Sequence, residues 1–326
     1  MGNLEGNLIG VFGSNGALKS SFLSSIGKKS ETEGIVVYQR NEAGRKYSLL
    51  DDPGYPDKIQ GYARIASICD YALFMYPQEG KLAPTDGELA VLLDAYGLHG
   101  KVELVDSSMP DLPGKLKTSF KGLTLSTYDV DERDGKSSLI DLSQVSAKSN
   151  YPENATLIYI DRAFSVKGVG VVVLGFVLSG VVSLHDKLRM LPSESGKFAE
   201  VKGIQVSDED QESSGRGIRV GLSLKNVELK DLSKVSWLDN GTIRTGSEVE
   251  FDFKQSTYYK QLTVDRDLHL ETNGEILVAR IVAGTTSSTR IARISSAIPI
   301  WEGMPLCVLD LNAKSLRVVG GGLAKR

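Results

Sequence analysis

The chain has 326 residues, of which 41% are hydrophobic and 24% are charged, and its formal net charge is -3. This is the composition of a soluble globular protein with room for two or three domains. The weakly acidic balance gives no support for nucleic-acid binding through bulk charge, so any basic surface has to be local.

Cysteine and histidine usage argues against a disulfide scaffold and against a zinc site. Cys69 and Cys307 are far apart in sequence, and the three histidines are scattered. We expect two buried, reduced thiols and no metal cluster. The N-terminus lacks a basic region before its short apolar run, and the run LGFVLSGVVSL is too short to span a membrane. A cytoplasmic protein is expected.

The first half of the chain alternates predicted strands with predicted helices. NLIGVFG reads as a buried strand followed by the helical segment ALKSSFLSSIG, and IVVYQR and RKYSLLD read as a pair of strands. After the apolar run DYALFMYP, helical spacing of Leu89, Leu92, Leu93 and Tyr96 predicts a helix that ends at Gly97. KVELVDSS is the next strand. Alternating strands and helices predict βαβ units and a mostly parallel sheet.

The second half contains short β-rich runs separated by Gly, Ser and Asp, with almost no helical periodicity. One set runs from ATLIYIDRAFSV to IRVGLSL, and a second set runs from SEVEFDF to SLRVVGG. Many short strands with turn signals predict antiparallel barrels. We therefore expect an α/β domain over residues 1–150 and two barrels over 151–240 and 241–326, with the seam near LDNGTIRTGS.

A phosphate-loop candidate follows the first predicted strand. From Gly13 the sequence reads G-S-N-G-A-L-K-S, which places Lys19 and Ser20 at the spacing required for phosphate and Mg²⁺ contacts. The glycine expected before the lysine is Leu18, whose branched side chain opposes a tight backbone bend. The alternative is a plain βα turn without a ligand.

A second motif, D-x-P-G, begins at Asp51 and contains Pro53 and Gly54. In P-loop GTPases, such an aspartate holds Mg²⁺ through water and the glycine amide senses the γ-phosphate. The motif alone is a common turn, but after the first loop in a βαβ chain it favours a nucleotide site.

With both motifs in place, the chain resembles the translational GTPases, in particular elongation factor Tu and archaeal SelB-like factors. YPQEGKLAPTDGELAVLLDAYGLHGKVELV is similar to the family stretch before the guanine-recognition strand, and VSAKSNY is similar to the S-A-K loop beside the base. The strongest similarity is in IDRAFSVKGVGVVVLGFVLSGVVSLHDKLRMLPS, which shares these family positions: Phe164, Lys167, Gly168, Gly170, Gly175, Gly180, Asp186 and Pro192.

The resemblance implies a P-loop GTPase-like α/β domain followed by two antiparallel β-barrels that hold aminoacyl-tRNA. It implies GTP or GDP with Mg²⁺ as ligands, with Ser20 and Asp51 holding the metal. The implied nucleotide-binding residues are Gly13, Lys19, Ser20, Asp51, Gly54, Ser146, Ala147 and Lys148.

Four departures from the family pattern concern the chemistry. Leu18 replaces the loop glycine, and Tyr55 replaces the histidine that positions the attacking water. The guanine-recognition motif aligns with 106–109 and ends in Met109, which cannot accept the two hydrogen bonds that the family aspartate accepts. The segment between Ser20 and Asp51 is short, and Thr32 there has no reason to serve as the switch threonine.

These departures predict impaired or lost GTP binding and hydrolysis, with no catalytic residue. The first hypothesis is a degenerate paralogue that binds tRNA or the ribosome. The second is an active, divergent GTP-dependent factor that delivers a special aminoacyl-tRNA. The third is an interaction protein outside translation that uses the fold as a scaffold.

Basic residues in the predicted barrels are the candidates for RNA contact: Lys167, Lys197, Lys202, Arg216, Arg219, Arg280, Arg290 and Arg293. Their alternative role is that of a solvated surface. The chain ends at GGGLAKR, soon after the second barrel, which argues against the mRNA-reading domain of SelB and against a selenocysteine-specific role. We expect a monomer that binds neither DNA nor a membrane.

Overall fold

The computed structural model describes residues 5–30, 34–42, 44–76, 82–105, 111–133, 145–146, 150–192, 196–261 and 263–326. The described chain consists of an α/β domain, a first barrel and a second barrel, in that order. The predicted fold class, an N-terminal α/β domain followed by two antiparallel barrels, is confirmed.

In the part of the α/β domain that the structure describes there are seven strands and four helices. The strands are Gly6–Phe12 (β1), Lys28–Ser30 (β2), Val36–Glu42 (β3), Arg45–Asp51 (β4), Tyr71–Met75 (β5), Gly100–Val105 (β6) and Asp129–Arg133 (β7). The helices are Gly16–Ile26 (α1), Gln60–Ile68 (α2), Pro84–Tyr96 (α3) and Leu112–Ser119 (α4), with a 3₁₀ turn at Thr124–Thr127.

These strands form one sheet in the order β2-β3-β4-β1-β5-β6-β7. The pairs β1–β4, β1–β5, β5–β6 and β6–β7 are parallel, and the predicted strand pair β3–β4 is antiparallel. The predicted helix after β5 is α3, and Gly97 ends it in the left-handed conformation at φ 55°.

Both faces of β1 are covered, which explains its continuous apolar run. Ile9 and Val11 pack in a cluster with Leu23 of α1, whereas Leu8 and Phe12 belong to the cluster formed with α2 and α3. Because β1, β4 and β5 are parallel neighbours, their carboxyl ends meet at one edge of the sheet. Loops at such an edge are the usual place for a ligand in α/β proteins.

The first barrel lies between Leu157 and Asp239. Its strands are Leu157–Val166 (β8), Gly170–Ser179 (β9), Val181–Ser183 (β10), Lys187–Leu191 (β11), Phe198–Val206 (β12), Glu209–Gln211 (β13), Ser213–Gly215 (β14), Arg219–Lys225 (β15) and Trp237–Asp239 (β16), with a 3₁₀ turn at Leu229–Leu232. The sheet order is β11-β16-β8-β9-β15-β12-β13, and a further β11–β12 pairing closes a ring of six strands.

The second barrel is a closed ring of six strands in the order β17-β20-β19-β18-β21-β22. Its strands are Arg244–Gln255 (β17), Arg266–Thr272 (β18), Glu275–Ala283 (β19), Thr289–Ile300 (β20), Pro305–Leu309 (β21) and Val318–Ala324 (β22). The described residues of both barrels contain no α-helix.

The buried side chains divide unevenly among the three units. The first barrel has an apolar cluster of its own, which includes Val173 and Leu222. A larger cluster runs from Phe74 of the α/β domain through Trp237 of the first barrel to Phe251 of the second barrel. All three units therefore contribute side chains to one hydrophobic core.

Both cysteines are buried thiols, as predicted. No helix in the described parts of the chain is long and apolar enough to cross a membrane. The same residues hold no group of three His, Cys, Asp or Glu side chains that could bind a metal ion.

Candidate nucleotide site

The turn between β1 and α1 is shorter than a phosphate loop of the predicted length. Gly13 has φ 151°, and a Cβ there would lie 2.9 Å from the carbonyl oxygen of Met75, so the position requires glycine. Helix α1 begins at Gly16, three residues before Lys19. Most of the predicted loop is therefore helical.

Backbone amides of this segment already have partners within the chain. The Asn15 Oδ1 atom caps α1 by accepting a hydrogen bond from the Leu18 amide at 3.0 Å, and the Lys19 amide donates to the Asn15 carbonyl oxygen at 3.2 Å. Leu18 is buried in the cluster that contains Phe22. A leucine fits here because the backbone is helical, and the same helical bonding removes two amides that a phosphate would need.

Lys19 and Asp51 contact each other directly. The Lys19 Nζ atom lies 2.7 Å from Asp51 Oδ1, and the lysine is 1% exposed. The resemblance implies that Lys19 binds the nucleotide phosphates and that Asp51 holds Mg²⁺. In this structure the ammonium group is neutralised by the carboxylate itself.

Tyr62 of α2 completes this buried cluster. Its hydroxyl group accepts a hydrogen bond from Lys19 Nζ and donates to Asp51 Oδ1 at 3.0 Å, and the Gly13 carbonyl oxygen lies 3.4 Å away. The ring packs against Phe12 with centroids 5.1 Å apart. Burial and the adjacent Asp51 carboxylate raise the pKa of Tyr62 well above its usual range, so the phenol stays protonated.

The D-x-P-G turn folds back on itself. The Gly54 amide donates to Asp52 Oδ1 at 2.8 Å, so the amide predicted to sense a γ-phosphate has an internal partner. Burial raises the pKa of Asp52 above its ordinary value, although the hydrogen bond from the Gly54 amide opposes that rise. Ser20 is exposed on α1, outside the contacts that bring Gly13, Lys19 and Asp51 together.

Tyr55 is held away from any role as a base. Its hydroxyl group donates to the Thr85 carbonyl oxygen at 2.5 Å and lies 3.3 Å from Glu88 Oε2. Burial, followed by the Glu88 charge, raises the pKa of Tyr55 above its usual range. The Arg317 guanidinium lies 5.8 Å from the ring centroid. Tyr55 therefore anchors its loop as a neutral phenol.

The base-recognition side of the candidate site is only partly described. Val145 is buried in the apolar cluster that contains Leu23 of α1, and Ser146 is exposed. The positions predicted for the guanine motif (106–109), for Ala147 and Lys148, and for Thr32 lie outside the described residues.

The basic residues proposed for RNA contact are mostly paired within the chain. Five of the eight form ion pairs with carboxylates: Lys197 with Asp231, Arg216 with Asp70, Arg219 with Asp161, Arg280 with Asp267, and Arg293 with Glu248. These eight residues therefore do not form a continuous surface of unpaired cations, and RNA contact through them stays a prediction.

Sequence reasoning missed three residues that contact the switch motif or its neighbours: Tyr62, Glu88 and Arg317. A tyrosine in an apolar helix is typical of a core residue, so no local pattern marks Tyr62. Glu88 and Arg317 are 229 positions apart and meet only through the packing of two domains.

The family model for elongation factor Tu domain 2 matches residues 170–237, which lie in the first barrel. An uncharacterised protein of Methanocaldococcus jannaschii is 27% identical over 98% of this chain and 99% of its own length. The selenocysteine-specific elongation factor of the same organism is 27% identical over 63% of this chain. This chain covers 48% of that factor and 53% of the Methanopyrus kandleri elongation factor 1-alpha, about half of each.

Solved structures show the same architecture. Translation elongation factor SelB from Methanococcus maripaludis, in complex with the GTP analogue GPPNHP, superposes with a TM-score of 0.82 over 100% of this chain and 80% of that chain, at 21% identity. A bacterial selenocysteine-specific elongation factor superposes with a TM-score of 0.82 over 98% of this chain and 58% of that chain.

Proposed function

Since the chain belongs to the translational GTPase superfamily, we propose that it is a SelB-like factor that binds tRNA or the ribosome without binding or hydrolysing GTP. Its domains are 1–150, 151–240 and 241–326, and it works as a cytoplasmic monomer. Its first barrel matches the family model, whereas its nucleotide site is filled by its own side chains.

The buried Lys19–Asp51–Tyr62 cluster carries the proposal. A nucleotide phosphate would have to compete with Asp51 for the Lys19 ammonium and move the Tyr62 hydroxyl group away from both. Separating a buried ion pair leaves uncompensated charge, which typically costs about 3–5 kcal/mol. As arranged, these residues do not fit a phosphate with its Mg²⁺ ion, so we derive no catalytic step through GTP.

The choice of partner follows from the relatives. Two of the relatives that match this chain are named elongation factors, and the barrels of this chain superpose on such a factor over their whole length. A translation factor that has lost its nucleotide would keep contacts made by the barrels, since these do not pass through the nucleotide site. Contacts between lysine or arginine and phosphate weaken as salt rises.

Three measurements test this proposal. Isothermal titration with GTP, GDP and ATP in Mg²⁺ should give no micromolar binding, and micromolar GTP binding with preference over ATP would refute the loss of the site. Ribosome co-sedimentation and a tRNA gel shift at low salt, without nucleotide, should be positive and salt-sensitive. Two negative results would exclude translation partners and favour a role outside translation.

The buried Lys19–Asp51 pair, which Tyr62 links to the Gly13 carbonyl oxygen, favours one alternative, a divergent GTP-dependent factor for a special aminoacyl-tRNA. In that case the ribosome would have to open the cluster. Ribosome-stimulated phosphate release that disappears in Lys19→Ala would support it, whereas release that persists in this variant is contamination.

A further inference from the structure

The segment from Asp51 to Asp70 contains the switch motif and α2, and it contacts both barrels. In GTPases this region orders and disorders with the γ-phosphate. Here the Ser67 Oγ atom of α2 accepts a hydrogen bond from the Gly274 amide of the second barrel at 2.8 Å. At the end of the segment, Asp70 forms an ion pair with Arg216 of the first barrel and accepts from the Leu8 amide at 2.9 Å.

Arg317 of the second barrel binds the start of this segment. Its Nη2 atom donates to Glu88 Oε2 at 2.5 Å and its Nε atom donates to Glu88 Oε1 at 3.0 Å, a bidentate pair with α3. The same guanidinium donates to the carbonyl oxygens of Pro56 at 3.0 Å and Asp57 at 3.1 Å. One side chain therefore ties α3, the switch loop and the second barrel together.

The glycine-rich strand β22 lies directly against α3. A Cβ on Gly321 would lie 2.1 Å from the carbonyl oxygen of Ala95, which is the backbone of α3 near its end. This close approach and the Arg317 contacts lie on the same domain boundary. Because the apolar core also crosses this boundary, polar, backbone and apolar contacts all hold the α/β domain to the second barrel.

We infer, on the basis of the function proposed above, that the inherited switch segment has become a fixed tether that holds the three domains in one arrangement whatever nucleotide is present. Tyr62 anchors the segment at the nucleotide site, and Arg317 with Glu88 anchors it to the second barrel. Tyr55, at the family histidine position, is a positioning residue in this tether, since its hydroxyl group binds the Thr85 carbonyl oxygen of α3.

Spin-label distances between domains test the tether. Ser24→Cys on α1 and Val278→Cys on β19 provide exposed labelling sites in the α/β domain and the second barrel, and the native Cys69 and Cys307 are 0% exposed. We expect one narrow distance distribution that does not change with GTP, GDP or a GTP analogue in Mg²⁺. Arg317→Ala should add a longer, broader component.

Two further variants separate loss of the tether from loss of the fold. The double variant Arg317→Lys with Glu88→Gln loses the bidentate pair but avoids a buried unpaired carboxylate, and it should also broaden the distribution. Arg293→Ala removes an exposed ion pair with Glu248, and both of these residues belong to the second barrel. This variant should therefore leave the distance distribution narrow.

A broad distribution of interdomain distances in the parent protein, or a narrow one in both Arg317 variants, would overturn the proposal of a tether. A distance change on adding GTP would overturn it together with the proposed function. GTP binding in calorimetry without a distance change would overturn only the loss of the nucleotide site.

Discussion

Lys19 is 1% exposed and forms an ion pair with Asp51. This burial distinguishes a site that is filled by side chains of the protein from one that is open to a ligand. In an open nucleotide site, such a lysine contributes to ligand affinity and little to the stability of the protein alone. In the buried cluster described here, it neutralises a carboxylate that has left water. Removing it should therefore affect folding stability in the absence of any ligand.

We expect Lys19→Ala to lower the free energy of unfolding by about 3–5 kcal/mol, because it leaves Asp51 buried and uncompensated. Urea unfolding followed by circular dichroism measures this change. Lys121→Ala, at an exposed lysine of the same domain, should change the free energy by less than about 0.5 kcal/mol. Lys19→Met with Asp51→Asn should recover most of the loss, and a near-neutral Lys19→Ala would indicate an open, hydrated site.

Glu271 in β18 is a second residue whose surroundings predict a measurable effect. It is 0% exposed, and its Oε1 atom accepts from the Gly274 amide at 3.2 Å. Burial raises the pKa of Glu271 well above its ordinary value of 4.5, with Ser67, Gly274 and Arg64 opposing that rise. The folded protein therefore keeps this group protonated at a pH where the unfolded chain ionises it.

Because the pKa of Glu271 is higher in the folded protein than in the unfolded chain, protonation of this group favours the folded state. That stabilisation is complete below about pH 4.5 and is lost as the pH rises towards the pKa of the folded protein. Glu271→Gln, which cannot ionise, should gain stability relative to the parent as the pH rises above about 4.5, by up to about 1.4 kcal/mol per pH unit. Urea unfolding at pH 5, 6.5 and 8 measures the difference. The exposed Glu302→Gln serves as the control, and a flat difference for Glu271→Gln would contradict the raised pKa.

At the scale of elements, the contact between β22 and α3 depends on glycine. The backbones of Gly321 and Ala95 approach so closely that no side chain fits at position 321. By contrast, a Cβ on Gly87, in the first half of α3, would have no atom within 4 Å. Gly87 in α3 is therefore a tolerant position, and Gly321 in the neighbouring strand β22 is an intolerant one.

Gly321→Val should destabilise the protein by about 3 kcal/mol or more, because the obstructing atom belongs to the backbone and cannot rotate away. Gly87→Ala should stabilise it by about 1 kcal/mol through higher helix propensity. Thermal unfolding of the two variants measures both changes. If Gly321→Val unfolded like the parent, β22 would not be packed against α3 in solution.

At the scale of the whole molecule, the shared core predicts cooperative unfolding. The two tryptophans report on different units, since Trp237 lies in the first barrel and Trp301 follows β20 of the second. The Trp237 indole donates to the Asn273 carbonyl oxygen of the second barrel at 2.9 Å, and Asp70 with Arg216 joins the first barrel to the α/β domain. Each unit is therefore bonded to the other two.

The variants Trp237→Phe and Trp301→Phe leave one fluorescent probe each. Their urea unfolding curves, each normalised to its own total signal change, should show the same transition width and a single step. Circular dichroism on each variant should give the same midpoint as its fluorescence. A fluorescence transition that separates from the circular dichroism transition would show that one barrel unfolds independently.

The order of elements could be predicted from the sequence because it rests on local periodicity and turn residues, as the helix before Gly97 and the strand pair before Asp51 illustrate. The two motifs and the family resemblance predicted that Gly13, Lys19 and Asp51 belong to one site, and the structure brings Lys19 and Asp51 into contact. The burial of Lys19 by Tyr62 could not be predicted, because these residues are 43 positions apart. No local sequence pattern indicates which side chain of α2 lies at the carboxyl ends of β1 and β4.

The tertiary structure alone decided what the switch segment touches. Arg317 and Glu88 meet across two domains, and Gly321 is required only because α3 lies against it. Such contacts depend on how separate units pack, and packing is a property of surfaces distant in sequence. The amino-acid order by itself therefore determined the architecture and predicted a nucleotide site. Packing decided the rest, because α2 brings Tyr62 onto Lys19 and Asp51 within the α/β domain, and the domains meet through Arg317 and Glu88.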